Sequence, residues 1–145
     1  MEGSRMRYTE REYADHWGDF LTRYKWSLFA TLTTRYPMQE ERLVLEHLKW
    51  IRRLEREAQG AAGWMRCIEH HACGRHLHIH CLVWVPPCVI PSTARGLWKH
   101  LGKAHVERYD PAKGAAYYVG KTYKAHHDSI DLSRRMPPRI DDDEL

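Results

Sequence analysis

A chain of 145 residues and 17.2 kDa suits one domain with a sizeable core rather than two. Hydrophobic residues at 43% and charged residues at 29% give an ordinary globular composition, with no apolar run near the roughly 20 residues of a membrane helix. The net charge of +4 would be +8 without the acidic run at 141–144, and 23 Lys and Arg beside six Trp and eight Tyr are ingredients of a nucleic-acid surface. The first residues, MEGSRMRYTEREY, are too polar for a signal peptide, so the expected compartment is cytoplasmic, with no membrane partner. There the four cysteines, Cys67, Cys73, Cys81 and Cys88, stay reduced. None forms a C-x-x-C pair, which argues against a zinc knuckle.

In chain order, Thr9-x-x-Glu12 reads as a capping box before a helix carrying Tyr13, Trp17, Phe20, Leu21 and Tyr24. Residues 26–34 (WSLFATLTT) read as a strand. Pro37 is expected to open a long helix with the stripe Val44, Leu48, Ile51, Leu54 and Ala58, closed by Gly60. Residues 64–71 and 76–85 read as two strands joined by a turn at Cys73-Gly74. After a Pro-rich loop, Ser92 is expected to cap a helix to about residue 102, and 104–109 fit a short strand. Asp110-Pro111 starts a last helix to about residue 126. This assigns residues 1–127 to a single domain and 128–145 to a polar, acid-ended tail.

The order predicts an α+β fold: an antiparallel sheet of four to five strands with a ferredoxin-like βαββαβ core. Helices would pack on one face, with the tyrosine-bearing last helix near the other. The first and third strands are central in that topology.

Residues 74–84 read GRHLHIHCLVW. Strand alternation sends Leu77, Ile79, Cys81, Val83 and Val85 to one apolar face and His76, His78 and His80 to the other. If the hairpin turns at Cys73-Gly74, Glu69 lies opposite His78 and Cys67 opposite His80. A carboxylate and two imidazoles converging there make a divalent-cation site. In the last helix, Tyr117 and Tyr118 precede Lys121 and Lys124, and Lys121 is a helical neighbour of both tyrosines. A phenol becomes a nucleophile when a nearby cation stabilises its phenolate. Gly120-Lys121-Thr122 is not a phosphate loop, because five residues rather than four separate Gly114 from Gly120.

Together these stretches resemble the HUH endonucleases, and more specifically the initiators of rolling-circle replication of plasmids and phages. Phe29-Ala30-Thr31-Leu32-Thr33 is similar to the family's first motif, His78-Ile79-His80 to its second, and Tyr118-Val119-Gly120-Lys121 to its third. The span from Trp26 to Lys124 covers about two thirds of the chain. The resemblance implies that His78, His80 and Glu69 are ligands of Mn²⁺ or Mg²⁺, with the alternative pair 76/78 fitting the motif less well. It implies Tyr118 as the nucleophile, Lys121 beside the scissile phosphate and Tyr117 as a lesser candidate. Arg75, Lys124, Thr31 and Thr33 are the expected nucleic-acid contacts.

The implied activity is a site-specific nick in single-stranded DNA, leaving a 5′-phosphotyrosine link. The substrate would be single-stranded or hairpin DNA at an origin, opened by a separate helicase, with the protein a monomer in isolation. A transposase or relaxase of the same superfamily is the nearest alternative; a non-catalytic ferredoxin-like nucleic-acid-binding module is the second.

Overall fold

The computed structural model describes residues 10–70, 76–116 and 130–140. Within them the elements run α1 (Glu10–Leu21), β1 (Leu28–Leu32), α2 (Glu40–Ala58), β2 (Gly63–His70), β3 (Leu77–Trp84), α3 (Pro91–Gly96), β4 (Ala104–Arg108) and β5 (Ile130–Leu132). A 3₁₀ turn, Pro111–Lys113, follows β4. All neighbouring strands are antiparallel, in the order β4-β1-β3-β2-β5. The first four strands have the ferredoxin-like order, with β1 and β3 central. Helices plus one antiparallel sheet make this the expected α+β class.

The two sheet faces are built differently. Leu77, Ile79, Cys81 and Val83 of β3 share one face with Leu28, Ala30 and Leu32 of β1, and all are buried under α2 and α3. Trp50 and Trp98 fill that layer edge to face, their centroids 6.5 Å apart. The opposite face carries a second cluster in which Met65, Cys67 and Leu82 pack with Leu21 and Trp26 and with Ala115 and Ala116. This cluster covers one half of the face, and the histidines of β3 occupy the other.

Several boundaries differ from the sequence reading. Helix α2 starts at Glu40, and its left-handed residue is Gln59 (φ 54°) rather than Gly60. Gly60 N–H instead bonds the Glu55 carbonyl, closing the helix end. The buried stripe of α2 is Leu43, His47, Trp50, Ile51 and Leu54, one position off the apolar reading, because His47 and Trp50 point inward. Helix α3 begins at Pro91 after Ile90 with no side-chain cap, so Ser92 does not cap it. Beyond Gly96 the chain continues in tight i→i+3 turns to Leu101 rather than as α-helix. Asp110 does cap as expected, its carboxylate accepting from Ala112 N–H. The remainder of the expected last helix, and the Cys73-Gly74 turn, lie outside the described residues.

Residues 130–140, read from the sequence as tail, are part of the fold. β5 pairs with β2, Ser133 exchanges hydrogen bonds with both backbone groups of Trp64, and Tyr24 bridges Arg139. Gly63 allows this approach: a Cβ there would lie 2.9 Å from the Arg135 carbonyl oxygen and the Pro137 nitrogen.

One buried polar group ties these layers. Arg66 of β2 donates to His47 Nδ1 at 3.1 Å and to Asp131 of β5 at 3.0 Å, while stacking 4.8 Å over the Trp64 ring. Burial, and secondly the Arg66 charge, push the His47 pKa well below its ordinary 6.5. Between the folded and unfolded values the unfolded chain therefore binds the extra proton. Stability is full above about pH 6.5 and falls below it, by at most about 1.4 kcal/mol per pH unit. Urea denaturation at pH 7.5 and 5.5 should show about 1.4 kcal/mol more acid destabilisation in the wild type than in His47→Gln. Equal pH dependence in both would contradict a buried neutral His47.

Candidate metal centre

The β2–β3 register places Glu69 opposite His78 and Cys67 opposite His80, with no bulge, as the hairpin arithmetic expected. Directly opposed residues share a face, so one short stretch of two adjacent strands presents a carboxylate and two imidazoles together. Their ligand atoms all lie within 4.8 Å of one another. Six-coordinate ligands about 2.1 Å from a small divalent ion sit about 3 to 4.2 Å apart, so the trio spans a compatible space. Two neutral imidazole nitrogens and one hard carboxylate oxygen form a donor set suited to Mn²⁺ or Mg²⁺ that leaves coordination positions for water or a phosphate oxygen.

The site graduates from buried to open. His80 is 4% exposed, held in the centre of the sheet between β1 and β2, whereas the Glu69 side chain is 34% exposed. His80 Nε2 meets Glu69 Oε2 at 2.5 Å, and His80 Nδ1 lies 3.3 Å from the Thr31 hydroxyl. An ionised carboxylate only accepts, so Nε2 carries the proton and Nδ1 accepts from Thr31 in this arrangement. With a cation on Nε2 the proton must sit on Nδ1, and the same hydroxyl can turn to accept it. Threonine serves both states because its oxygen donates and accepts.

The His78 ring is half-buried, its centroid 6.5 Å from that of His80 and steeply inclined to it. His76 lies outside β3 and is exposed, and it does not join the cluster. Cys67, although opposite His80, stays a thiol: burial, reinforced by the Glu69 charge, pushes its pKa up to about 12.

The other expected site residues divide into two groups. Thr31 stands against His80, and Thr33 bonds the Lys103 carbonyl through both its backbone N–H (2.9 Å) and its hydroxyl (3.3 Å). Arg75, Tyr117, Tyr118, Lys121 and Lys124 lie outside the described residues. The approach to them is described as far as Ala115 and Ala116, which are buried against the histidine-bearing face. The orienting role of Thr31 was absent from the sequence reading. Its signal was its position on the strand beside His80, in a motif valued there only for DNA contact.

A family profile for replication-associated proteins of the ORF2 kind matches residues 27–126. The chain belongs to that family of replication-associated proteins. The matched span runs from the residue before β1 through β4 and takes in all three members of the trio. No curated protein and no solved structure matches the chain.

Titration of the protein with Mn²⁺ by calorimetry should give one site. Glu69→Ala, His78→Ala and His80→Ala should each remove measurable binding, and Thr31→Val should weaken it about tenfold by freeing the His80 ring. His76→Ala should bind like wild type. A loss in His76→Ala equal to that in His80→Ala would move the centre along the strand.

Proposed function

We propose that this replication-associated protein is an HUH endonuclease that nicks single-stranded DNA to initiate rolling-circle replication. The observation that carries the reading is the Glu69–His78–His80 trio, set on the two strands of a hairpin beside central β1 within a chain of this family. A bound Mn²⁺ or Mg²⁺ would supply Lewis-acid polarisation of the scissile phosphodiester and charge stabilisation of the departing oxygen. The buried His80, braced by Thr31, would hold its end of the site fixed, while the more open Glu69 side faces the substrate.

Tyr118 is the proposed nucleophile. Its phenolic oxygen attacks phosphorus in line, the bond to the 3′-oxygen breaks, and that oxygen leaves as a 3′-hydroxyl after gaining a proton. The 5′-phosphate remains esterified to the tyrosine. One phosphoester replaces another, so no nucleotide hydrolysis is needed and the reverse reaction rejoins a strand. Lys121, a helical neighbour of Tyr118, would stabilise the phenolate and the phosphate charge. Unwinding would fall to a separate helicase or to supercoiling.

The trio's surroundings favour chemistry over passive binding. A ferredoxin-like module that binds bases by stacking needs exposed aromatic rings on its sheet face. Here the open half of that face carries Thr31, Glu69, His78 and a histidine buried to 4% exposure.

Incubation with a randomised pool of single-stranded DNA and Mn²⁺ should yield an adduct that survives denaturing electrophoresis. Tyr118→Phe should abolish it while changing DNA affinity less than about threefold, Tyr117→Phe should retain it, and chelator should prevent it. Adducts formed by Tyr118→Phe but not by Tyr117→Phe would move the nucleophile by one residue. Equal reaction with relaxed duplex would contradict the mechanism.

A further inference from the structure

At the β4 edge of the sheet, beyond β1, lies a cleft of about 790 Å³ that the metal centre does not use. Arg35 enters it from the segment after β1, Arg95 and Lys99 from α3 and the turns that follow, and Lys103 and His105 from the start of β4. Among the described residues no carboxylate lines it. Among them, too, none of its four permanent cations forms an ion pair; the nearby Glu107 lies 3.8 Å from His105 and 3.9 Å from Lys113.

Like charges gathered this way repel one another, and here rigid packing holds them. Arg35 donates to the Lys99 carbonyl at 3.4 Å, Arg95 to the Val106 carbonyl at 2.8 Å, and the Trp98 indole to the Thr33 carbonyl at 2.8 Å. Gly102 sits so close to the segment after β1 that a Cβ would come 2.2 Å from the Thr33 oxygen. The Lys99–Lys103 turn is thereby pressed against Arg35. Several fixed cations in one open groove, unanswered by protein acids, complement a polymer of regularly spaced anions better than a single small one.

The cleft also lies in line with the metal centre. Thr31 is the register partner of both His80 and His105, so two strand spacings, about 10 Å, separate those histidines. Lys103 holds Thr33, two residues from Thr31 on the same strand. A DNA strand whose phosphate reaches the trio has only β1 to cross before entering the cleft.

We infer that this cleft binds the sugar–phosphate backbone of the DNA flanking the reacting phosphate, an assignment that rests on the DNA-nicking reading above. It supplies affinity and direction to the strand without touching the reacting atoms.

The test compares wild type, the cleft variant R35A/K99A/K103A and the control K49A/R52A/R56A, which removes equal charge from exposed positions on α2. Affinity for a labelled single strand of mixed sequence is measured by anisotropy across salt, alongside covalent capture by wild type. Loss of three phosphate contacts should reduce the slope of log affinity against log salt by about 2, so that between about 50 and 200 mM salt the wild type loses roughly twentyfold more affinity than the cleft variant. The control should keep the wild-type slope, and all three should bind Mn²⁺ alike. An unchanged slope in the cleft variant, or an equal change in the control, overturns the cleft assignment even if wild type forms adducts. A cleft-dependent slope in a wild-type protein that forms no adduct overturns the nicking reading and leaves the cleft as a DNA-binding site.

Discussion

The antiparallel register of β3 with β1 and β2 is the constraint on which the site depends. Strand alternation commits Leu77, Ile79, Cys81 and Val83 to the core beneath α2 and α3, which forces His78 and His80 onto the opposite face. A slip of one residue would bury both histidines among leucines and expose the core residues, so hydrophobic burial fixes the site as firmly as it fixes the fold. The partners follow from the same pairing. Glu69 comes from one neighbouring strand and Thr31 from the other, both held by ladder hydrogen bonds rather than by loops.

A rigid floor suits a site that must hold two donor types at fixed separation. His80 is clamped on both ring nitrogens, one by a carboxylate and one by a hydroxyl that tolerates either tautomer. The apolar cluster of Met65, Cys67, Leu82, Leu21 and Trp26 supports the same face alongside, and burial keeps Cys67 from offering a thiolate. At the β4 edge the cations of the neighbouring cleft extend the functional face away from the trio. Local chemistry and long-range charge are thus carried by adjacent parts of one sheet.

Much of this was legible in the sequence because the carriers are local and periodic. The strand alternation of residues 77–85, the hairpin arithmetic that pairs Glu69 with His78, and the element order that makes β1 and β3 central all depend on short-range pattern. The features that escaped depend on distant partners. β5 is three residues long and shows no period; it is fixed by β2, by Ser133 on Trp64 and by Asp131 on Arg66. His47 looked like a break in the apolar stripe of α2 because its partner, Arg66, is 19 residues away on another element. Thr31 read as a DNA contact because the histidine beside it belongs to a strand 49 residues later.

The account turns on Glu69, His78 and His80 holding one cation together. Crystals of the protein soaked in Mn²⁺ and measured at the manganese absorption edge would test this directly. The predicted result is a single strong anomalous peak within about 2.5 Å of one nitrogen of each histidine and one Glu69 oxygen. A peak elsewhere on the protein, or none with the three side chains in their present contacts, would contradict it.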